Sequence, residues 1–284
     1  MDLGVHITTF DWDGGPARLA ATLAATAREA EAAGATYVTL MDHFIQAEGF
    51  MPPTDPIIEG YTGLAYLAGL TERVTLGLLV SGVLFRNPGV HAKTIASLDV
   101  LSGGRALLGI GGAWYAREHA LLGIDFPPPG ERLGRLEEAI ELCRAFWGPG
   151  DGPFEGRYYR ASETLGVPAP LSQPAPPVMV GGGGERTTLR VVARQADLWN
   201  IAAFGVDAVT HKLEVLRAHC DAEGRDFGAI RKTILWMPDP REAPDDFRRG
   251  LDDYAALGFE AVFVTPYGPD PRRAVAEIAA LLPR

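Results

Sequence analysis

Short apolar runs alternate with longer amphipathic segments along the whole chain. The short runs are rich in Val, Ile and Leu, which favours buried strands of a parallel sheet. The longer segments repeat apolar residues every three or four positions, which favours helices packed on that sheet. The predicted strands are Leu3–Thr8, Tyr37–Met41, Val74–Val80, Ala106–Ile110, Val178–Gly181, Leu198–Ile201, Thr233–Met237 and Ala261–Thr265.

This alternation predicts eight consecutive strand–helix units, and therefore an α/β fold built as a single (β/α)₈ barrel, or TIM barrel. The length of 284 residues fits one such domain, so we assign residues 1–284 to it.

Helix ends are marked by residues that commonly begin or terminate helices. The first predicted helix begins at Pro16, which suits a first turn, and ends at Gly34. Another begins after Gly130, and the last spans Arg272–Leu282. The apolar stripe of the helix after Gly130 comprises Leu133, Leu136, Ile140, Cys143 and Trp147.

Three predicted connections are long. Phe44–Glu59 and Gly112–Gly130 follow the second and fourth strands, so they are insertion loops at the C-terminal face, where TIM-barrel enzymes build their active sites. The proline-rich segment Gly148–Pro177 leads from a helix into a strand, which predicts a structural wrap at the opposite face.

Composition narrows the class of partner. A net charge of −10 with scattered Lys and Arg argues against a nucleic-acid groove and favours a small-molecule substrate. No apolar run reaches the ~20 residues that span a bilayer, and no secretory signal begins the chain, so we expect a cytoplasmic protein without a membrane partner. Two cysteines, Cys143 and Cys220, agree with a reducing compartment.

Four glycines follow the fifth predicted strand directly and precede a helix predicted to begin near Glu185. A glycine backbone lets an anion approach closely, and a helix N-terminus offers free N–H groups, so this loop predicts a phosphate site; the alternative is a tight turn. Arg186 and Thr187 would add a charge and a hydroxyl. The four glycines are Gly181, Gly182, Gly183 and Gly184.

A second glycine cluster ends the fourth predicted strand. It fails the dinucleotide fingerprint, because Trp114 stands where the third glycine belongs. Gly111 and Gly112 would instead leave room for a flat ring or a phosphate at the barrel mouth.

Asp42 and His43 follow the second predicted strand and so belong at the same face. A histidine exchanges protons near neutral pH, which suits redox chemistry, although a structural hydrogen bond is the alternative. His6 has no histidine two positions away, and no metal-binding spacing occurs, so we predict no metal site.

Several segments together resemble the F420-dependent branch of the luciferase-like monooxygenase superfamily. They are residues 70–147, MDHF at 41–44, GPFEGRYYR at 152–160 and PPVMVGGGGERTTLRVVARQADLWN at 176–200. The resemblance implies a TIM barrel with the deazaflavin coenzyme F420 across its C-terminal face, and it favours a homodimer.

The resemblance also implies roles for individual residues. Asp42 and His43 match an Asp-His pair at the deazaflavin ring, in which the histidine is the catalytic residue that manages a proton. Val80 and Ser81 match a non-prolyl cis peptide that supports the ring. The cofactor-binding matches are completed by Gly111, Gly112 and Tyr115 on the fourth strand, and by Gly181, Gly182, Gly183, Gly184, Glu185 and Arg186 at the cofactor's phosphate.

Related enzymes that oxidise sugar phosphates carry a glutamate in the fourth-strand loop, where this chain has Ala113, Trp114 and Tyr115. That difference, with apolar residues predicted at the mouth, favours a small, partly apolar substrate. The apolar residues are Phe10, Phe44, Trp114 and Trp236. An FMN-dependent monooxygenase on the same scaffold and a non-catalytic flavin- or deazaflavin-binding protein are the alternatives.

Overall fold

Eight parallel strands close into a barrel in this computed structural model, which describes residues 1–282. Each strand pairs with its neighbours in chain order, and β1 also pairs with β8. The strands are β1 (Asp2–Ile7), β2 (Tyr37–Leu40), β3 (Thr75–Leu78), β4 (Ala106–Gly111), β5 (Val178–Gly181), β6 (Leu198–Ala202), β7 (Arg231–Trp236) and β8 (Ala261–Val264). The predicted TIM-barrel fold is confirmed, and each predicted strand overlaps an observed one.

The helices surround the barrel. They are α1 (Pro16–Ala32), α2 (Gly60–Ala68), α3 (Pro88–Ser102), α4 (Ala116–Leu122), α5 (Pro129–Trp147), α6 (Thr188–Gln195), α7 (Val206–Glu223), α8 (Pro244–Ala256) and α9 (Pro271–Ala279). None of the helices within residues 1–282 combines the length and the apolar character that a bilayer crossing requires.

Two apolar layers separate the strands from water. Side chains from alternate strand positions fill the barrel interior, among them Leu107, Met179 and Phe263. The opposite strand faces pack against the helices, with Trp199 and Phe247 fully buried there. Because successive strand residues point to opposite faces, one apolar run supplies both layers.

β3 is interrupted at its C-terminal end. A cis peptide joins Leu79 and Val80, and the chain then pairs again with β4 through Ser81 and Gly82. The predicted location at Val80 and Ser81 is therefore wrong by one residue, because a strand end carries no side-chain period that fixes the register of a bulge.

The start of α6 was also predicted too early. The chain after Gly181 runs through irregular backbone to Thr187, and the helix begins at Thr188. Glu185 and Arg186 therefore belong to the loop and not to a first helical turn, since the glycine run offers no residue that fixes a helix start.

The long segment before β5 packs on the outside of the barrel. It contains a two-stranded hairpin, Phe154–Glu155 with Arg160–Ala161. Its backbone N–H groups are held by two carboxylates, Glu138 on α5 and Asp99 on α3.

Candidate active site

The C-terminal ends of the strands open into a cavity of about 640 Å³. All eight strands, or the residues directly after them, contribute to its walls. One contribution from each, in chain order, is His6, Asp42, Leu79, Gly111, Gly181, Asn200, Leu235 and Thr265. The cavity therefore lies at the face where TIM-barrel chemistry is expected.

His43 lies on the cavity wall, with its imidazole tied to a buried carboxylate. The Nδ1 atom lies 2.9 Å from Oε2 of Glu118, whose side chain is 0% exposed, whereas that of His43 is 19% exposed. The other oxygen of Glu118 accepts the backbone N–H groups of Phe44 and Ile45, the second at 3.2 Å. One carboxylate therefore holds both the ring and the loop behind it.

Glu118 is the site residue that the sequence analysis missed. It lies on α4, a short helix inside the loop after β4. This loop places Glu118 beside His43, which is 75 positions earlier in the chain. The chain turns toward α4 at Ala113, which has a φ of 56°. An acidic residue in a first helical turn usually indicates a favourable interaction with the helix dipole, which masked this role.

Asp42, the neighbour of His43, also lines the cavity and is hydrogen-bonded to the segment that follows β3. Its carboxylate accepts two hydrogen bonds from Arg86, at 2.6 and 2.8 Å, one from the Ser81 hydroxyl at 2.7 Å and one from the Gly82 N–H at 3.2 Å. Asp42 therefore anchors the short extension of β3 beside the cavity.

A buried pair of opposite charges results. Burial raises the pKa of Asp42, and the hydrogen bonds from Arg86 oppose that rise. Burial likewise opposes the charge on Arg86, but the Asp42 carboxylate raises the pKa of Arg86 above its ordinary value. The guanidinium also lies 4.6 Å from the ring centroid of Tyr61, a cation–π contact.

His6 lies on β1, lines the cavity and has a hydrogen-bond partner on the neighbouring strand. Its Nδ1 atom lies 3.0 Å from the hydroxyl of Thr39 on β2. Burial lowers the pKa of His6 to about 4, so its imidazole is neutral at physiological pH. The sequence search for a histidine two positions away could not find a partner on the neighbouring strand.

The glycines that end β4 and β5 make room for Val80. A Cβ on Gly111 would lie 2.9 Å from a Val80 methyl, and one on Gly181 would lie 2.8 Å from the same methyl. Close packing of the β3 bulge therefore requires both glycines, which the sequence analysis had interpreted as room for a cofactor.

The loop after β5 has a different character. Gly182 has a φ of 119°, which favours glycine, and its N–H donates to the Asn200 carbonyl at 3.0 Å. Within residues 1–282, the N–H groups of Gly183 and Gly184 donate to no protein acceptor. These donors precede the α6 N-terminus, an arrangement that can receive an anion.

Two cationic side chains, Arg186 and Lys212, and one histidine lie beside this loop. Arg186 is exposed, and Lys212 on α7 lies 2.5 Å from Oε1 of Glu185. His211 lies 3.2 Å from the same oxygen. The hydrogen bond from Lys212 lowers the pKa of Glu185, so a carboxylate already occupies part of this positive region.

Aromatic residues form part of the cavity rim. Trp114 is 56% exposed and stacks on Tyr115 with ring centroids 5.2 Å apart, and its edge contact with His43 spans 5.6 Å. Phe50 and Phe204 are also exposed at the rim.

Three of the four apolar residues predicted at the mouth lie elsewhere. Phe10 packs on Trp12, Phe44 packs on Phe85, and Trp236 packs on Phe247 of α8. For Trp236 the reason is strand alternation, because its neighbours in the chain are the ones that point into the cavity.

A family profile described as luciferase-like monooxygenase matches residues 1–279. The chain belongs to the luciferase-like monooxygenase family.

Relatives within this family are named for several activities. An F420-dependent glucose-6-phosphate dehydrogenase from Kineococcus radiotolerans is 34% identical over 236 residues, which cover 80% of this chain and 67% of the relative. Solved structures at lower identity share the fold. The coenzyme F420-dependent tetrahydromethanopterin reductase from Methanopyrus kandleri has a TM-score of 0.81 at 16% identity, covering 99% of this chain and 98% of the other.

An EDTA monooxygenase from Chelativorans sp. has a TM-score of 0.80 at 16% identity, covering 99% of this chain and 93% of the other. The shared barrel therefore does not by itself specify the reaction.

Most residues predicted for the site of this luciferase-like monooxygenase family member lie together around the cavity. Those on its wall are Asp42, His43, Val80, Ser81, Gly111, Gly112, Tyr115, Gly181, Gly182 and Gly183. Gly184, Glu185 and Arg186 lie farther along the β5 loop, outside the wall. Across residues 1–282, no group of three or more His, Cys, Asp or Glu side chains is placed to hold a metal.

Proposed function

We propose that this protein is an F420-dependent oxidoreductase that transfers a hydride to or from a small organic substrate, with His43 managing the proton. The supporting observation is the His43–Glu118 pair on the wall of a cavity at the C-terminal face of the barrel. The 34% identical relative named as F420-dependent supports the choice of cofactor.

The residues present fit this cofactor. The free N–H groups of Gly183 and Gly184, with Arg186 nearby, suit a phosphate, and the cavity beside them suits a flat ring. Val80, Trp114 and Tyr115 offer apolar contacts to such a ring. When bound, F420 would supply the hydride-accepting and hydride-donating carbon of its deazaflavin.

One ring nitrogen of His43 is available to exchange a proton with the substrate. Its Nδ1 is engaged by Glu118, and Nε2 makes no hydrogen bond with residues 1–282. We infer that Nε2 takes a proton from the substrate during oxidation and returns one during reduction.

The cavity favours a neutral, partly apolar substrate such as an enone, an imine or an alcohol. Asp42 is paired with Arg86, and Glu118 with His43. Arg132 donates to the carbonyls of Gly112, at 3.0 Å, and Pro127, at 2.9 Å. The two carboxylates on the wall are therefore paired within the protein, whereas Arg132 keeps its positive charge because its partners are neutral carbonyls. The support for a partly apolar substrate is the exposed aromatic rim, which includes Trp114 and Phe50.

Titration with F420 and, separately, with FMN tests the cofactor. We expect stoichiometric binding of reduced F420, tighter than that of FMN. Tight FMN binding without detectable F420 binding would instead support the FMN-dependent monooxygenase that the family description also allows. Binding of F420 without hydride transfer to any enone, imine or alcohol in a panel would support the non-catalytic binding protein.

The proposal includes a homodimer, which rests on the resemblance to F420-dependent enzymes; the cytoplasmic location stays a prediction from the sequence. Light scattering after size-exclusion chromatography measures the subunit count, and a mass of 30.4 kDa would contradict the dimer.

A further inference from the structure

We propose that Glu118 is a positioning residue that keeps the neutral His43 imidazole in its Nδ1–H tautomer, so that the Nε2 lone pair faces the cavity. This inference deepens the proposed function and rests on it for the meaning of the proton, although the tautomer itself can be measured without any cofactor.

The contacts of the carboxylate determine which nitrogen carries the proton. An ionised carboxylate only accepts hydrogen bonds, so Oε2 of Glu118, 2.9 Å from Nδ1, requires a proton on Nδ1. A neutral imidazole carries one N–H, which leaves Nε2 with a lone pair. Bulk solvent does not reach Glu118, because its side chain is fully buried.

The second oxygen of Glu118 fixes the orientation of the carboxylate. Oε1 accepts the N–H groups of Phe44 and Ile45, the two residues that follow His43. The carboxylate cannot rotate away from Nδ1 without also breaking its hydrogen bonds with these two N–H groups. The loop that carries His43 and the orientation of its ring are therefore fixed by the same group.

Packing around the imidazole limits its remaining freedom. The ring has edge contacts with Trp114, at 5.6 Å, and with Tyr115, at 6.1 Å between centroids. Both aromatic residues lie in the loop that leads to Glu118, so one segment supplies the carboxylate and the packing. A ring held in this way presents Nε2 in one direction, which proton transfer requires.

The variant Glu118→Gln is expected to move the imidazole proton of His43 from Nδ1 to Nε2. The N–H groups of Phe44 and Ile45 need an acceptor, so the glutamine carbonyl must take the place of Oε1. Its NH₂ group then faces Nδ1 and donates to it, which forces the imidazole proton onto Nε2. The lone pair that the substrate needs is lost, although the side chain keeps its shape.

The experiment is ¹⁵N NMR of histidine-labelled protein without cofactor, at a pH where His43 is neutral. The signal of His43 is assigned by its loss in His43→Ala. We expect a protonated Nδ1 and an unprotonated Nε2 in the wild type, and the reverse in Glu118→Gln. The matched control is Glu131→Gln, which removes a carboxylate that is paired with Arg135 on the surface of α5 and should leave the spectrum of His43 unchanged.

A wild-type His43 signal with the proton on Nε2 would overturn the proposal even if Glu118→Gln does not fold. Retention of the Nδ1–H tautomer in a folded Glu118→Gln would overturn it as well. F420 titration of the same variant should give a dissociation constant within about threefold of the wild type, since a tautomer change removes no phosphate or ring contact. Failure of the wild type to bind F420 would refute the proposed function while leaving the tautomer result intact.

Discussion

The two sides of the cavity are organised in opposite ways. On the side of β2 to β4, hydrogen bonds join ionisable side chains across long stretches of chain, as in His43 with Glu118 and Asp42 with Arg86. On the side of β5, an exposed loop of consecutive residues offers backbone N–H groups, with cations around it. The first side suits orientation of a proton carrier, whereas the second suits binding of an anion. Substitutions on the first side should therefore change rate or stability, and those on the second should change affinity.

The largest expected effect is that of His43→Ala on turnover. We expect hydride transfer to fall by about 10² to 10⁴, with F420 affinity preserved, because proton transfer is lost while phosphate and ring contacts remain. Single-turnover kinetics and cofactor titration measure the two quantities separately. His211→Ala, beside the β5 loop, serves as the control and should keep the rate. Near-normal turnover in His43→Ala would assign that residue to structure.

Arg86→Met tests the buried pair on the same side. Removing one partner leaves the Asp42 carboxylate uncompensated, and we expect the free energy of unfolding to fall by about 3–5 kcal/mol. Urea denaturation measures this change. Arg249→Met removes an exposed pair with Asp246 and should cost less than about 1 kcal/mol. Equal losses in the free energy of unfolding for the two variants would contradict the argument that burial makes the Asp42–Arg86 pair the costlier one to break.

The pH dependence of stability tests the neutral His6. Its pKa is about 4 in the folded protein, against 6.5 for an unperturbed histidine, so the unfolded chain binds more protons between these pH values. Stability is therefore full above pH 6.5 and falls as the pH drops to about 4, by an amount of about 3 kcal/mol from this group. Denaturation across this range should show a flatter profile for His6→Asn than for the wild type.

Gly183→Val tests the β5 side. A Cβ at this position would lie 2.9 Å from the terminal methyl of Ile201, so either that side chain or the loop must shift, and the added side chain would block the approach of an anion to the N–H groups of the loop. We expect the F420 dissociation constant to rise by about ten- to a hundredfold, the loss of one charge-assisted hydrogen bond, with the barrel still folded. Gly152→Val, where a Cβ meets nothing within 4 Å, is the control. Unchanged affinity in a folded variant would make the loop a turn only.

Arg186→Gln should give the smallest effect. Because Arg186 is exposed, we expect F420 affinity to fall only about two- to fivefold, and less at high salt. Titration at two ionic strengths measures this difference. A loss of rate without a loss of affinity would contradict the separation between the two sides of the cavity.

Local patterns in the chain were enough to predict the strands and the position of the barrel mouth. Apolar periodicity is a local property, so β5 was predicted with its observed bounds, β1 was displaced by one residue, and β8 was extended by one residue at its end. The family was identified from contiguous motifs for the same reason. Asp42 and His43 were found because the C-terminal ends of parallel strands meet at one face.

The partners of those residues follow from the folded arrangement alone. Glu118 lies 75 positions from His43 and Arg86 lies 44 from Asp42, and no local pattern links either pair. Likewise, glycine is needed at positions 111 and 181 because Val80 packs against both, and it does so only when β3, β4 and β5 lie side by side. Closure of the barrel brings these segments together. Because burial removes water from a charged group, the group must be hydrogen-bonded by the few side chains that lie next to it in the folded protein.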